Sequence, residues 1–223
     1  MRYRVEGNTL PVAILQLEAG ESIISEAGGR TWSRGMIETE TQARGGAAKS
    51  IGRMFAGESL FMSKYTAKAP AEIAFASSFP GRILVRELKA GESIICQKSA
   101  FLAATSGVDV SIYFQKRLAS GFFSGEGFIM QKLTGPGLVF LELDGHVVEY
   151  DLAAGERLTC DTGVLAVMSQ SCTMSVEMVK GLKNMIFGGE GLFDTVITRP
   201  GKVYLQSMTK AHLAAMLGYT VNK

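Results

Sequence analysis

Two strings recur three times along this chain, and a chain that repeats itself at such a spacing is committed to one supersecondary unit built three times over. The first string reads LEAGESIIS from Leu17, LKAGESIIC from Leu88 and LAAGERLTC from Leu152. The second reads FAGESLFMSKYTAKAPAEIAFAS from Phe55, FSGEGFIMQKLTGPGLVFLEL from Phe123 and FGGEGLFDTVITRPGKVYLQS from Phe187. Each string carries a Gly-Glu pair. Glu21 and Glu58 lie 37 residues apart, and Glu92 to Glu126 and Glu156 to Glu190 are each 34.

After each first Gly-Glu the residues alternate. Ile23 with Ser25, Ile94 with Cys96 and Leu158 with Cys160 fall on one face, while Ser22, Ser93 and Arg157 fall on the other. That period of two predicts a half-buried strand. The second string reads strand, turn, strand. Its turn is Gly135-Pro136-Gly137 in the second repeat and Arg199-Pro200-Gly201 in the third, where proline presets φ and glycine accepts a positive φ. The first repeat has Ala69-Pro70-Ala71 instead, so a different turn geometry is expected there.

A short strand pair cannot bury its apolar face alone. With 223 residues, 47% of them hydrophobic, the chain has enough apolar surface for a continuous core. The expected fold is all-β: a β-sandwich or double-stranded β-helix-like body of three repeats, about 14–80, 84–145 and 148–208, with approximate threefold symmetry. The linkers Ser77 to Arg82 and Asp144 to His146 are too short to separate domains, which favours one compact domain over 1–223. Two fused β domains would require the first repeat to pair differently from the rest. Beyond the last repeat, Thr209 as N-cap, the stripe Leu213, Met216 and Leu217, and Gly218 as a stop predict a helix over 209–218.

Charge and composition narrow the function classes. Lys and Arg number 23 against 21 Asp and Glu, and a pI near 8.4 is too mild to indicate nucleic acid. The first residues, MRYRVEGNTLPVAILQL, break their apolar run with charges and a proline, so no secretory leader is expected. No run approaches the roughly 18 to 20 apolar residues of a bilayer-crossing helix, so an integral membrane protein is not expected. Three cysteines in an unsecreted chain read as reduced thiols, which places the protein in a cytoplasm.

Catalytic chemistry finds little support. There are two histidines, His146 in a turn and His212 in the expected helix, with no His-x-His of the kind a metal-binding double-stranded β-helix needs. A Ser or Cys nucleophile needs a positioned base. Cys96 and Cys160 occupy equivalent places, with Ser25 as the third member, which points to a small inward-facing core residue rather than a reactive thiol. Cys172 has no partner motif. The six Gly-Glu carboxylates, repeated in like settings, suit backbone N–H acceptance beside turns better than acid–base work, which needs unlike environments. Neither Gly28-Gly29 nor Gly45-Gly46 is followed by a phosphate-loop lysine and Ser/Thr. No catalytic residue, cofactor or metal is expected.

Between its strands each repeat has a segment mixing cations with apolar residues and ending on glycine: GGAAKSIGRMFAG, QKRLASGFFSG and MVKGLKNMIFGG. Threefold packing would bring Lys49, Arg53, Lys116, Arg117, Lys180 and Lys183 to one end of the body. With Met54, Phe122, Phe123 and Ile186 beside them, they form a candidate surface for an acidic partner or anionic lipid. The alternative is that the cations are solvated while the apolar residues lead into core strands.

The triplet of strings, with the Gly-Gly segment before FAGESLF, resembles the altered-inheritance-of-mitochondria family, over about Val5 to Ser207. The resemblance implies a β-rich fold similar to that of the tryptophan RNA-binding attenuation protein, a β-sandwich module that assembles into rings, and hence self-association. Eukaryotic members of the family are linked to mitochondrial inner-membrane organisation; this chain, with nothing like a transit peptide, reads as a bacterial cytoplasmic member. The expected function is therefore a non-enzymatic, oligomeric scaffold or binding protein acting near membranes. The alternative is a small-ligand or RNA-binding module, although no basic stripe with interleaved aromatics is present to stack unpaired bases.

Overall fold

A computed structural model describes residues 1–43, 61–116, 128–178, 193–209 and 213. In chain order the first strands are β1 (Arg2–Glu6), β2 (Val12–Leu17), β3 (Ser22–Glu26), β4 (Trp32–Arg34), β5 (Ile37–Ala43), β6 (Phe61–Ala67) and β7 (Ala71–Ala76). Next come β8 (Gly81–Leu88), β9 (Ser93–Gln97), a 3-10 turn at Lys98–Ala100, β10 (Phe101–Thr105), β11 (Asp109–Lys116), β12 (Phe128–Thr134) and β13 (Gly137–Asp144). The last are β14 (Val147–Leu152), β15 (Arg157–Asp161), β16 (Leu165–Ser169), β17 (Thr173–Met178), β18 (Phe193–Thr198) and β19 (Gly201–Gln206). The fold is all-β, as the alternation and turn chemistry predict.

Among the described residues the strands form four sheets, ordered β1-β2-β7-β4, β5-β6-β3-β10-β13-β8, β11-β12-β9-β16-β19-β14 and β15-β18-β17. Adding six to every strand number of the first six-stranded sheet gives the order of the second. The same shift relates the four-stranded and three-stranded sheets to halves of the six-stranded ones. Taking six from β10-β13-β8 gives β4-β7-β2, and adding six to β11-β12-β9 gives β17-β18-β15.

Packing divides the chain into two compact units. One comprises Met1–Glu92, Phe101–Asp109 and Thr134–Glu142. In its core Leu15, Leu17, Ile73 and Phe75 of the four-stranded sheet meet Ile23, Tyr65, Leu102 and Phe140 of the six-stranded one. Tyr65 meets Phe75 edge-on at 6.0 Å, and Tyr3 meets Phe140 edge-on at 5.3 Å. The other unit comprises Ser93–Ala100, Val110–Leu133 and Leu143–Lys223. There Ile95, Phe128, Met130, Leu165, Met168 and Val203 pack with Ile197 of the three-stranded sheet, flanked by half-buried Leu158, Met174 and Val176. Each Leu, Ile or Phe so buried contributes about 1.5 to 3 kcal/mol.

Alternation alone predicts one covered face for the strands after the Gly-Glu pairs, and two of the three depart from it. β3 and β9 sit inside six-stranded sheets, and Ile24, Ser25, Ser93 and Ile95 are all buried. β15 is the last strand of its sheet, and Arg157 and Thr159 are exposed. Of the helix expected over 209–218, only Thr209 and Leu213 are described. The Leu213 N–H donates to the Thr209 carbonyl at 3.1 Å, and the remainder lies outside the described residues. Among the described residues no helix is long and apolar enough to cross a membrane.

Candidate functional site

The three described Gly-Glu pairs are one structure repeated. In Glu18–Glu21, Lys89–Glu92 and Ala153–Glu156, the N–H of the last residue donates to the carbonyl of the first, at 3.0, 3.0 and 3.2 Å. The third residue of each, Gly20, Gly91 or Gly155, takes a φ of 86, 78 or 88°, which only glycine adopts freely. Each glutamate then turns back on its own turn. Its Oε2 accepts the N–H of the first residue at 2.8 Å in Glu21, 3.0 Å in Glu92 and 2.7 Å in Glu156. The Met1 ammonium also donates to Glu21 Oε1, and this bond, more than the Glu18 N–H, holds the Glu21 carboxyl below the usual carboxylate range. Glu58, Glu126 and Glu190 lie outside the described residues.

The thiols are likewise used in packing. Ser25 Oγ donates to the Leu102 carbonyl at 2.8 Å, and Cys96 takes the equivalent place with no exposed surface. Cys160 is only half-buried. Burial, then the charges of Asp161 and Asp194, push its thiol up to about 12. Burial also raises Cys172. A thiol held above its ordinary range is a poor nucleophile at neutral pH. Among the described residues no three His, Cys, Asp or Glu side chains gather as a metal site.

Of the six cations expected at one end of the body, Lys49, Arg53, Arg117, Lys180 and Lys183 lie outside the described residues, as do Met54, Phe122, Phe123 and Ile186. Lys116 is the last residue of β11. Ala43 pairs with Phe61 and Met178 with Phe193, so the first and third cationic stretches each connect two antiparallel neighbours.

The departures within the repeated strings have structural explanations. Gly137 and Gly201 take φ of 149 and 151°, and a Cβ there would meet Thr105 Oγ1 at 2.1 Å or Ser171 Oγ at 2.6 Å. Ala71 stands in their place in the first repeat, and here the facing residue is the glycine. A Cβ on Gly35 would lie 2.9 Å from that of Ala71.

Sequence reasoning passed over the places where the sheets stop. The four-stranded sheet ends on β4, where Trp32, Ser33 and Arg34 are exposed, Trp32 at 43% despite its size. The three-stranded sheet ends on β15, with the pattern of exposure just described. The single tryptophan was a signal available in the sequence, since so large a side chain in a Gly- and Ser-rich stretch has little local core to enter.

Fold and site together define an all-β protein whose described Gly-Glu carboxylates serve turns and whose thiols serve packing, with the four-stranded and three-stranded sheets ending, among the described residues, on β4 and β15. The chain belongs to the family described as Mitochondrial biogenesis AIM24, which matches residues 3–208. It is 24% identical over 226 residues to an uncharacterized protein of Streptococcus pyogenes serotype M6, covering 97% of this chain and 90% of that one. It also superimposes on the crystal structure of a Streptococcus pyogenes protein with a TM-score of 0.79 at 23% identity, over 97% of this chain and 98% of that one. That likeness is one of fold.

Proposed function

We propose that this chain is a non-enzymatic scaffold or binding protein that works as a homo-oligomer in a cytoplasm, close to a membrane or its proteins. One observation carries the non-enzymatic part: the side chains with most chemical potential are already occupied, each described Gly-Glu carboxylate by a backbone N–H and Cys160 by burial. The proposal includes a three-repeat body of approximate threefold symmetry, akin to the tryptophan RNA-binding attenuation protein, with a C-terminal helix. The shift of six strands between the two six-stranded sheets supports the repeat.

Size-exclusion chromatography with light scattering tests the assembly. A mass at a multiple of 23.9 kDa is expected, and 23.9 kDa alone overturns the oligomer. Flotation with anionic and neutral liposomes tests the membrane part. Replacing Lys116, Arg117, Lys180 and Lys183 with Ala should weaken binding to anionic vesicles, and equal binding by both proteins, or none, retires it.

A further inference from the structure

We propose that the outer edge of β14 is a docking site for an extended segment of another protein, which joins the sheet as an antiparallel strand with cations on one face and apolar side chains on the other. This rests on the binding-protein reading above and names the surface and the chemistry it takes.

The counterpart of β14 in the first repeat has such a strand in place. Leu17 and Leu152 open the same repeated string and pair with Ala71 and Gly201, which also correspond, so β2 and β14 hold the same position. β2 has β7 on one side and β1 on the other. β14 has β19 on one side and, among the described residues, ends its sheet. The side chains differ accordingly. Ala13 and Leu15 are fully buried, while Val148 and Tyr150, which stand where they do, are 39% and 44% exposed. Both lie on the core face of β14, opposite Leu205 and Val203. β8, the remaining counterpart, also ends its sheet, but Leu84, Val85 and Arg86 at its centre are half-buried. Of the three, β14 alone carries exposed large apolar side chains, and a sheet edge of this kind accepts strands.

The register comes from β1. Arg2, Tyr3, Arg4 and Val5 face Gln16, Leu15, Ile14 and Ala13. Carried to β14, the same four positions face Asp151, Tyr150, Glu149 and Val148. Cations at the first and third then meet carboxylates. An aromatic and a β-branched residue at the second and fourth meet Tyr150 and Val148, and each of these pairs favours a ladder. Beside β2 the acid lies one strand further in, where Arg4 reaches Glu72 at 3.3 Å. On β14 the acids stand on the edge strand itself, two carboxylates against Lys202, which pairs with Glu149. β1 is already seated on β2 along its whole length, so the occupant is a segment of a different protein.

A fluorescein-labelled peptide, GSRYRVRGS, tests the site by anisotropy against the full chain. It should bind saturably, and the acidic analogue GSEYEVEGS, Asp151→Lys and Tyr150→Thr should each weaken binding about tenfold. Both substituted residues are exposed, so folding is spared. Backbone N-methylation separates strand addition from attraction of charge. Methyl groups on alternate residues should abolish binding in one phase and spare it in the other, because only every second N–H of an added strand points at its neighbour. Equal binding by both phases overturns the site. So does the absence of binding by a chain that scatters as an oligomer or floats with vesicles, which leaves the scaffold reading standing. A chain that does none of these overturns both. A lower mass by light scattering for Asp151→Lys than for the unmodified chain gives the edge to a second copy and also overturns the proposal.

Discussion

Cys96 and Cys160 occupy the same place in the same repeated string, yet one is fully buried and the other half-exposed. Their own strands are alike: each follows a glutamate turn and pairs or packs on one side. The difference is the next strand. β9 has β16 against it, while β15 ends its sheet. Burial in this fold is thus set by whether a strand is added, more than by the residues of the strand that receives it.

That comparison can be broken most decisively by thiol chemistry. With its thiol raised to about 12, Cys160 in the folded chain should alkylate at pH 8 about a thousandfold more slowly than in urea. Cys96 should be slower still, because it must wait for the strand to open. Mass spectrometry of timed iodoacetamide reactions reads both rates. Labelling of Cys160 at the unfolded rate, or ahead of Cys96 by nothing, would dissolve the contrast.

Equivalent truncations sharpen it next. Ile95→Ala empties a buried site and should cost about 2 to 5 kcal/mol, whereas Thr159→Ala on the exposed edge should stay within about 0.5 kcal/mol. Urea midpoints at constant slope measure both. The turns, by contrast, should not distinguish centre from edge. Glu92→Ala and Glu156→Ala each remove one backbone cap and should cost about 0.5 to 1.5 kcal/mol, with Gln at either position milder because it keeps an acceptor. The smallest effect concerns Glu21. Its folded carboxyl lies below the ordinary range, so its stabilisation is complete above that range and is lost as pH falls through the folded value. The gap in urea midpoint between the wild type and Glu21→Gln should close on acidification.

Much of the local structure was legible in the residues. Gly-Glu announced a turn at 18–21, 89–92 and 153–156, and the alternation after it announced β3, β9 and β15. What periodicity cannot carry is the identity of a neighbour. Phe101–Thr105 and Leu165–Ser169 are short apolar runs outside the repeated strings, and their pairing with β3 and β9 is what leaves those strands inside their sheets instead of at an edge. For the same reason nothing in the residues of β4 and β15 marks them as the ends of their sheets. The cationic surface was legible as composition, but its placement depends on residues outside those described.

Gly20, Gly91 and Gly155 have nothing within 4 Å of a built Cβ, so alanine at any of them perturbs backbone conformation without crowding a neighbour. The chain thereby contains its own calibrated probe in triplicate. Two copies fall in one compact unit and the third in the other. If the whole chain melts as a single cooperative transition, the three substitutions should lower that transition alike. If the units melt apart, Gly20→Ala and Gly91→Ala will move one step and Gly155→Ala the other, and the same turn, mutated three times, will have mapped the boundary of cooperativity.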